Sequence, residues 1–215
     1  MPTFPLLTET KTGVAQSMKE PYRVPRGDGA HWETVPRAGL KETGWLEPAG
    51  VKAWMQLCRD GENLYVRLEA QENPIRATLT GTLDQVCNDS CLEFFFAPLE
   101  EDTRYFNFEW NPLKSLNLGF GGTRPTRVRQ IVKKMDELFC PQSWQEENTW
   151  GITFRIPAEF VGRYFPGFTY SGTCCANVYK CGDETEHPHY LAWSPVTSEK
   201  PDFHRRGDFG TLVFE

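Results

Sequence analysis

No apolar run reaches the roughly 18 residues that a membrane-spanning helix needs, so no helical span is expected. Basic charge is in deficit: 23 Lys and Arg against 29 Asp and Glu leave a net charge of −6. Nucleic acid and anionic membrane both reward a basic face, so neither is expected as a partner, whereas a neutral ligand is not disfavoured. Nucleophile and phosphate-binding motifs are missing as well: there is no G-x-S-x-G, no HExxH and no glycine-rich phosphate loop. Methionine is scarce, with four residues, and none is spaced to suggest a Met–His haem pair. The opening MPTFPLLTETKTG lacks the basic and apolar regions of a secretory signal, which predicts a cytoplasmic location, or a secreted one if a leader has already been removed.

The seven cysteines are odd in number and include the adjacent pair Cys174-Cys175. That usage fits small core residues in a reducing compartment better than a disulfide framework. Helical periodicity is equally sparse. Only Ala158–Tyr164, led in by Pro157, reads as a helix.

What is present in quantity is strand alternation. Val51–Arg59 places Val51, Ala53, Met55 and Leu57 on one face, and Asn63–Gln71 alternates again beyond the turn Asp60-Gly61-Glu62-Asn63, so the two predict a β-hairpin. The oxygens of that turn could also hold Ca²⁺, although turn chemistry alone accounts for them. A polar connection over 72–90 precedes Cys91–Ala97, whose Leu92, Phe94 and Phe96 share one face while Cys91, Glu93 and Phe95 share the other. Arg104–Asn111 repeats this, with Phe106, Phe108 and Trp110 opposite Tyr105, Asn107, Glu109 and Asn111. Two such strands predict a sheet packed on one side and presenting the other, either to a ligand or simply to water. The basic stretch Arg124–Lys134 reads as a solvated strand. Trp150–Pro157 points Trp150, Ile152, Phe154 and Ile156 inward, Gly172–Lys180 is a further strand, and Phe209–Phe214 closes the chain.

Some nine or ten strands without βαβ alternation predict an all-β, jelly-roll-like β-sandwich of two antiparallel sheets with one short helix. Residues 31–215 form a single domain in this reading, with residues 1–30 an extended lead-in packed on it.

Three chemistries are open to this residue set. A sugar site needs flat aromatics for pyranose C–H faces and a few carboxylate, amide or Arg groups for hydroxyls. Loop aromatics outside the strand alternation are the best candidates for the plane, Phe203 first, then Trp144 and Trp45. Glu93 and Glu109 would accept from hydroxyls, with Asn107, Asn177, His204 and Arg205 orienting the ligand. A glycoside-active enzyme could use Glu93 and Glu109 if they face each other about 5 to 10 Å apart. A metal or haem module could draw on His187, His189, His204 and the nearby Cys174, Cys175 and Cys181, though the spacing matches none of the usual zinc patterns.

The succession NLYVRLEA, NDSCLEFFFAP, YFNFEWN, NVYKCGDETEHPHYLAWSPV and PDFHRRGDFGTLVF resembles the family 9 carbohydrate-binding modules, in particular a divergent family 9-like branch within the DOMON-like β-sandwich group, over residues 30–215. The resemblance implies a jelly-roll sandwich that binds a carbohydrate without transforming it. It also implies two stacking Trp, a Glu and an Arg around the glycan, structural calcium, association with a glycoside hydrolase and a place in polysaccharide catabolism. The family Glu falls on Glu93 and one stacking Trp on Phe203. The other Trp falls near Val86 or Cys87, where no aromatic stands, and the family Arg falls near Phe106. Trp193 matches a family Trp, in a core or a ligand role. The number of copies in the assembly is left open.

Overall fold

The alternating aromatics of two central strands set the fold, because each strand has bulky residues to bury on both of its faces. A computed structural model describes residues 20–48 and 50–215. Among the described residues, the strands in chain order are β1 (Tyr22–Val24), β2 (Ala38–Leu40), β3 (Lys52–Arg59), β4 (Asn63–Gln71), β5 (Cys91–Ala97), β6 (Tyr105–Trp110), β7 (Leu116–Gly121), β8 (Val128–Arg129), β9 (Gln142–Gln145), β10 (Thr149–Pro157), β11 (Thr173–Cys181), β12 (Tyr190–Ala192) and β13 (Gly210–Phe214). They form two sheets. The larger runs β1-β13-β11-β5-β6-β7-β8, with β12 added to β11, and the smaller runs β2-β3-β4-β10-β9. All pairs are antiparallel except the edge pair β1 and β13. The β-sandwich expected from the alternation is present. The expected hairpin is β3–β4, with Asp60 to Glu62 between its strands.

Two expectations need correction. A second short helix, α1 (Met135–Phe139), joins the expected one, which is α2 (Ala158–Gly162). Helical period is hard to detect in five residues, and burial of Phe139 against the sandwich is what fixes α1. Of the basic stretch 124–134, only Val128–Arg129 is strand.

The sheets meet through aromatic rings. Phe94 of β5 and Phe108 of β6 lie 6.5 and 5.7 Å, centroid to centroid, from Phe154 of β10, and Trp110 lies 5.3 Å from the same ring. Phe96, Phe106, Val178, Val66, Leu68 and Ile152 complete this layer at essentially zero exposure. Burying each such large side chain stabilises the fold by about 1.5–3 kcal/mol. Trp193 belongs to this core: it packs edge-on against Tyr22 and over Gly210, where a Cβ would overlap its ring.

The opposite face of the larger sheet is not open. Every residue of β5 and β6 is buried on both faces. A second apolar cluster, including Phe95, Tyr105, Tyr179, Ala192 and Phe203, covers that outer face, with Trp45, Tyr190 and Phe209 packed on it. The outer face is therefore dry ground beneath a lid of chain, neither a wet surface nor a flat platform.

One polar group set is built into the core between the sheets. The Lys180 ammonium is wholly buried, 3.0 Å from Glu72 Oε1, 2.8 Å from His189 Nε2 and 2.7 Å from the Cys181 carbonyl, to which it donates. Trp150 Nε1 donates to Glu72 from β10. A buried ion pair is costly to break because the remaining charge is stranded. Glu72→Gln should lower unfolding free energy by about 3–5 kcal/mol in urea titrations, and a change under about 1 kcal/mol would show that the pair is not carried as charges.

Candidate functional site

The register of β5 on β6 places Glu93 directly opposite Glu109 on the covered outer face. Their environments differ. Glu109 accepts from Asn107 Nδ2 at 2.7 Å, Asn117 Nδ2 at 2.8 Å and Arg127 at 2.9 Å. Glu93 accepts from the Cys181 thiol, 2.9 Å away. Burial raises both carboxyls above the usual range. Glu93 is pushed further up by Glu109, and Arg127 restrains the rise at Glu109. Two carboxylates side by side in a dry site titrate as a pair.

A cleft of about 130 Å³ opens above this floor. Trp45 and Tyr190, both half-buried, stand at one side with Phe203 between them and the sheet. Trp45 Nε1 donates to the Ser198 carbonyl at 2.7 Å, which ties the indole to the C-terminal loop. The polar lining comprises Arg124, Arg127, Asp183, Asp202, Gln85 and His204. Arg124 is tethered to Asp202 at 3.0 Å. His204 Nδ1 is 2.8 Å from the Tyr105 hydroxyl; burial, with Arg127 and Arg124 beside it, pushes its pKa down to about 3. Its imidazole is thus a neutral polar group at working pH. Burial also raises Asp183, which shares the cleft lining with Tyr190.

Of the seven residues expected at the site, Glu93, Glu109, Phe203 and His204 line the cleft. Asn107 lies behind it, donating to Glu109. Asn177 lies outside it: its amide accepts from Val178 N and Ser194 N and donates to the Ser194 carbonyl, fastening β11 to the following loop. Arg205 also turns away, pairing with Asp208 at 3.2 Å and reaching Thr197. Phe203 is only 8% exposed. It gives one face to Tyr179, at 4.0 Å and nearly parallel, so it serves as a buttress, and the half-exposed planes are those of Trp45 and Tyr190. Trp144 lies on the smaller sheet, under the guanidinium of Arg67.

The expected histidine set does not converge. His189 sits on the core side with Lys180, His187 is exposed, and His204 faces the cleft. In the Asp60 turn the two carboxylate oxygens are engaged locally, accepting from Glu62 N, Asn63 N, Asn63 Nδ2 and the Tyr65 hydroxyl.

Arg127 was hidden in the basic stretch, and Tyr190 in the strand ahead of the loop. Their role depends on long-range placement, which local pattern does not carry; the structure shows one trace of it at Gly119. A Cβ at Gly119 would overlap Asn107 Oδ1 and the Arg127 side chain, so a glycine is what lets both reach Glu109.

The family model for carbohydrate-binding family 9 matches residues 41–214. A solved structure from Bacteroides uniformis ATCC 8492, assigned as a carbohydrate-binding protein, is 26% identical with a TM-score of 0.74, over 91% of this chain and 97% of the other. A family 9 carbohydrate-binding module from Caldicellulosiruptor kristjanssonii, solved with cellotriose, superposes with a TM-score of 0.65 at 11% identity over 91% of this chain and 94% of that one. The same organism's module solved with glucose gives 0.64 at 11% identity, over 91% and 96%. No curated protein matches the sequence.

Gly119→Ala should displace Arg127 from Glu109 and lower the thermal midpoint; an unchanged midpoint would show that the strand yields at no cost. His204 gives a pH signature. Its folded pKa of about 3 lies below the ordinary 6.5, so between those values the unfolded chain binds a proton that the folded chain refuses. Stability therefore falls as pH drops through that window. From about pH 7 to about pH 5, wild type should lose roughly 2 kcal/mol more than His204→Gln in denaturant titrations, and equal losses would place the imidazole in water.

Proposed function

Because the chain belongs to carbohydrate-binding family 9, we propose that the cleft over Glu93 and Glu109 binds a sugar and does not transform it. The observation that carries this reading is the pairing of half-exposed aromatic planes, Trp45 and Tyr190, with a dry polar floor in one cleft. A pyranose has apolar C–H faces and a rim of hydroxyls. Aromatic planes suit the first, and carboxylates, guanidinium and neutral imidazole suit the second. The similar modules solved with cellotriose and with glucose support a sugar as the ligand class.

In this reading Trp45 and Tyr190, set edge to face at 81°, wall one side of the cleft, and Phe203 holds them from behind. Glu93 and Asp183 accept hydrogen bonds from hydroxyls, while Arg124, Arg127 and His204 meet hydroxyl oxygens. At about 130 Å³, the cleft is smaller than the roughly 300 Å³ at which drug-sized pockets begin, so it encloses one small unit and leaves the remainder of a longer glycan outside. Hydrolysis is not supported. It needs two carboxyls flanking the scissile bond, whereas Glu93 and Glu109 sit side by side in one floor and Glu109 is taken by Asn107, Asn117 and Arg127.

Calorimetry against a panel of neutral mono- and oligosaccharides tests the reading, with saturable binding to at least one expected. Trp45→Ala should then weaken binding by about 1–3 kcal/mol, the usual loss for a central aromatic. Arg205→Ala should leave it within about 0.5 kcal/mol. Binding to none of the panel, or a larger loss at Arg205 than at Trp45, contradicts it.

A further inference from the structure

Beneath the cleft lies a side-chain cluster that shares Glu93 with the sugar reading and adds two thiols for which that reading has no use. Cys91 Sγ, a Glu93 carboxylate oxygen and Cys181 Sγ all lie within 4.8 Å of one another, and all three residues are buried. The backbone builds this cluster. Cys91 and Glu93 stand two apart on β5 and so share its outer face, and Cys181 of β11 is the register partner of Cys91. The remaining cysteines with buried or half-buried side chains lie elsewhere, except Cys87, which lines the cleft above.

The way Glu93 is satisfied is also unusual. Its neighbour Glu109 receives two amide donors and a guanidinium, whereas Glu93 receives a thiol, one of the weakest donors available to a protein. Apart from what the cleft supplies, that thiol is the protein donor to this carboxyl, a weak match for its lost hydration. A cation between the two sulfurs and the carboxylate would compensate all three groups at once.

We propose that Cys91, Cys181 and Glu93 bind one thiophilic d¹⁰ cation, zinc, with its fourth position turned toward the cleft. Zinc bonds of about 2.3 Å to sulfur and 2.0–2.2 Å to oxygen in a tetrahedron put ligand atoms roughly 3.5–3.8 Å apart, inside the 4.8 Å that bounds the cluster, with the 2.9 Å contact of Cys181 on Glu93 opening as the ion replaces the thiol proton. Two thiolates select zinc over magnesium or calcium, which prefer all-oxygen shells. Two adjacent strands hold the ligands, so little backbone order has to be gained on binding. The metal enters as Zn²⁺ and the two thiol protons leave to solvent. Glu93 and Cys181 both line the cleft, which leaves the open position facing water or a ligand oxygen. The inference stands on this geometry and not on the sugar reading. Since Glu93 serves both, zinc loading should also change sugar affinity.

The test uses the reduced full chain without sugar. After dialysis against zinc, one metal per chain is expected by elemental analysis, and cobalt(II) in its place should show thiolate-to-metal charge-transfer absorption. Cys91→Ser and Cys181→Ser should each weaken binding by at least about tenfold, while Cys140→Ser, at an exposed thiol, should not. Should the buried variants misfold, X-ray absorption at the zinc edge of wild type decides the matter, with two sulfurs and lighter ligands expected. Sub-stoichiometric metal in the reduced protein, binding that survives both substitutions, or a shell without sulfur overturns the proposal. Sugar affinity of the metal-free protein is measured separately, so failure of either idea leaves the other standing.

Discussion

The register between β5, β6 and β11 is the constraint on which the site depends. β5 lies between two antiparallel partners, and both of its faces are dry. A slip of one residue would carry Glu93 into the Phe layer and put Phe94 under the cleft. The in-register arrangement gives the larger sheet one face that is apolar apart from the Lys180 group and one face where carboxylates, thiols and an amide stand among aromatics. Holding Glu93 and Glu109 together away from water is unfavourable in itself, and the guanidinium and amides gathered around Glu109 offset part of that cost.

The cover over that second face makes it a site. The C-terminal loop brings Phe203 against Tyr179, and Trp45 arrives from the opposite end of the sequence to hydrogen-bond the same loop. The position where the family resemblance leaves an aromatic missing, near Val86 and Cys87, is thus faced by aromatics from elsewhere: Cys87, Trp45 and Tyr190 all line one cleft. Arg127 likewise reaches Glu109 from the segment between β7 and β8, not from the neighbourhood of Phe106.

Much of the fold was legible because alternation is a local property. The pairs Val51–Leu57, Phe94–Phe96 and Phe106–Trp110 declared their inward faces without help from the rest of the chain, and Glu93 stood out as a carboxylate among aromatics. What local pattern does not carry is the partner of each outer-face residue. Asn177 and Arg205 have the right chemistry for hydroxyls, yet their hydrogen bonds go to Ser194 and to Asp208 and Thr197. Arg127 looked like one solvated cation among several. Phe203 is an aromatic in the right loop whose best face is already taken. The convergence of Cys91 with Cys181 also required the β5–β11 register, since some 90 residues separate them in the chain.

Nuclear magnetic resonance titration tests the central claim most directly, because each indole N–H reports on its own surroundings. Titrating the protein with a sugar that binds should shift the Trp45 indole and the Arg127 Nε–H while leaving Trp144, on the smaller sheet, unmoved. A sugar that binds while Trp45 and Arg127 stay still, or that moves Trp144 instead, would contradict the assignment of this cleft as the carbohydrate site.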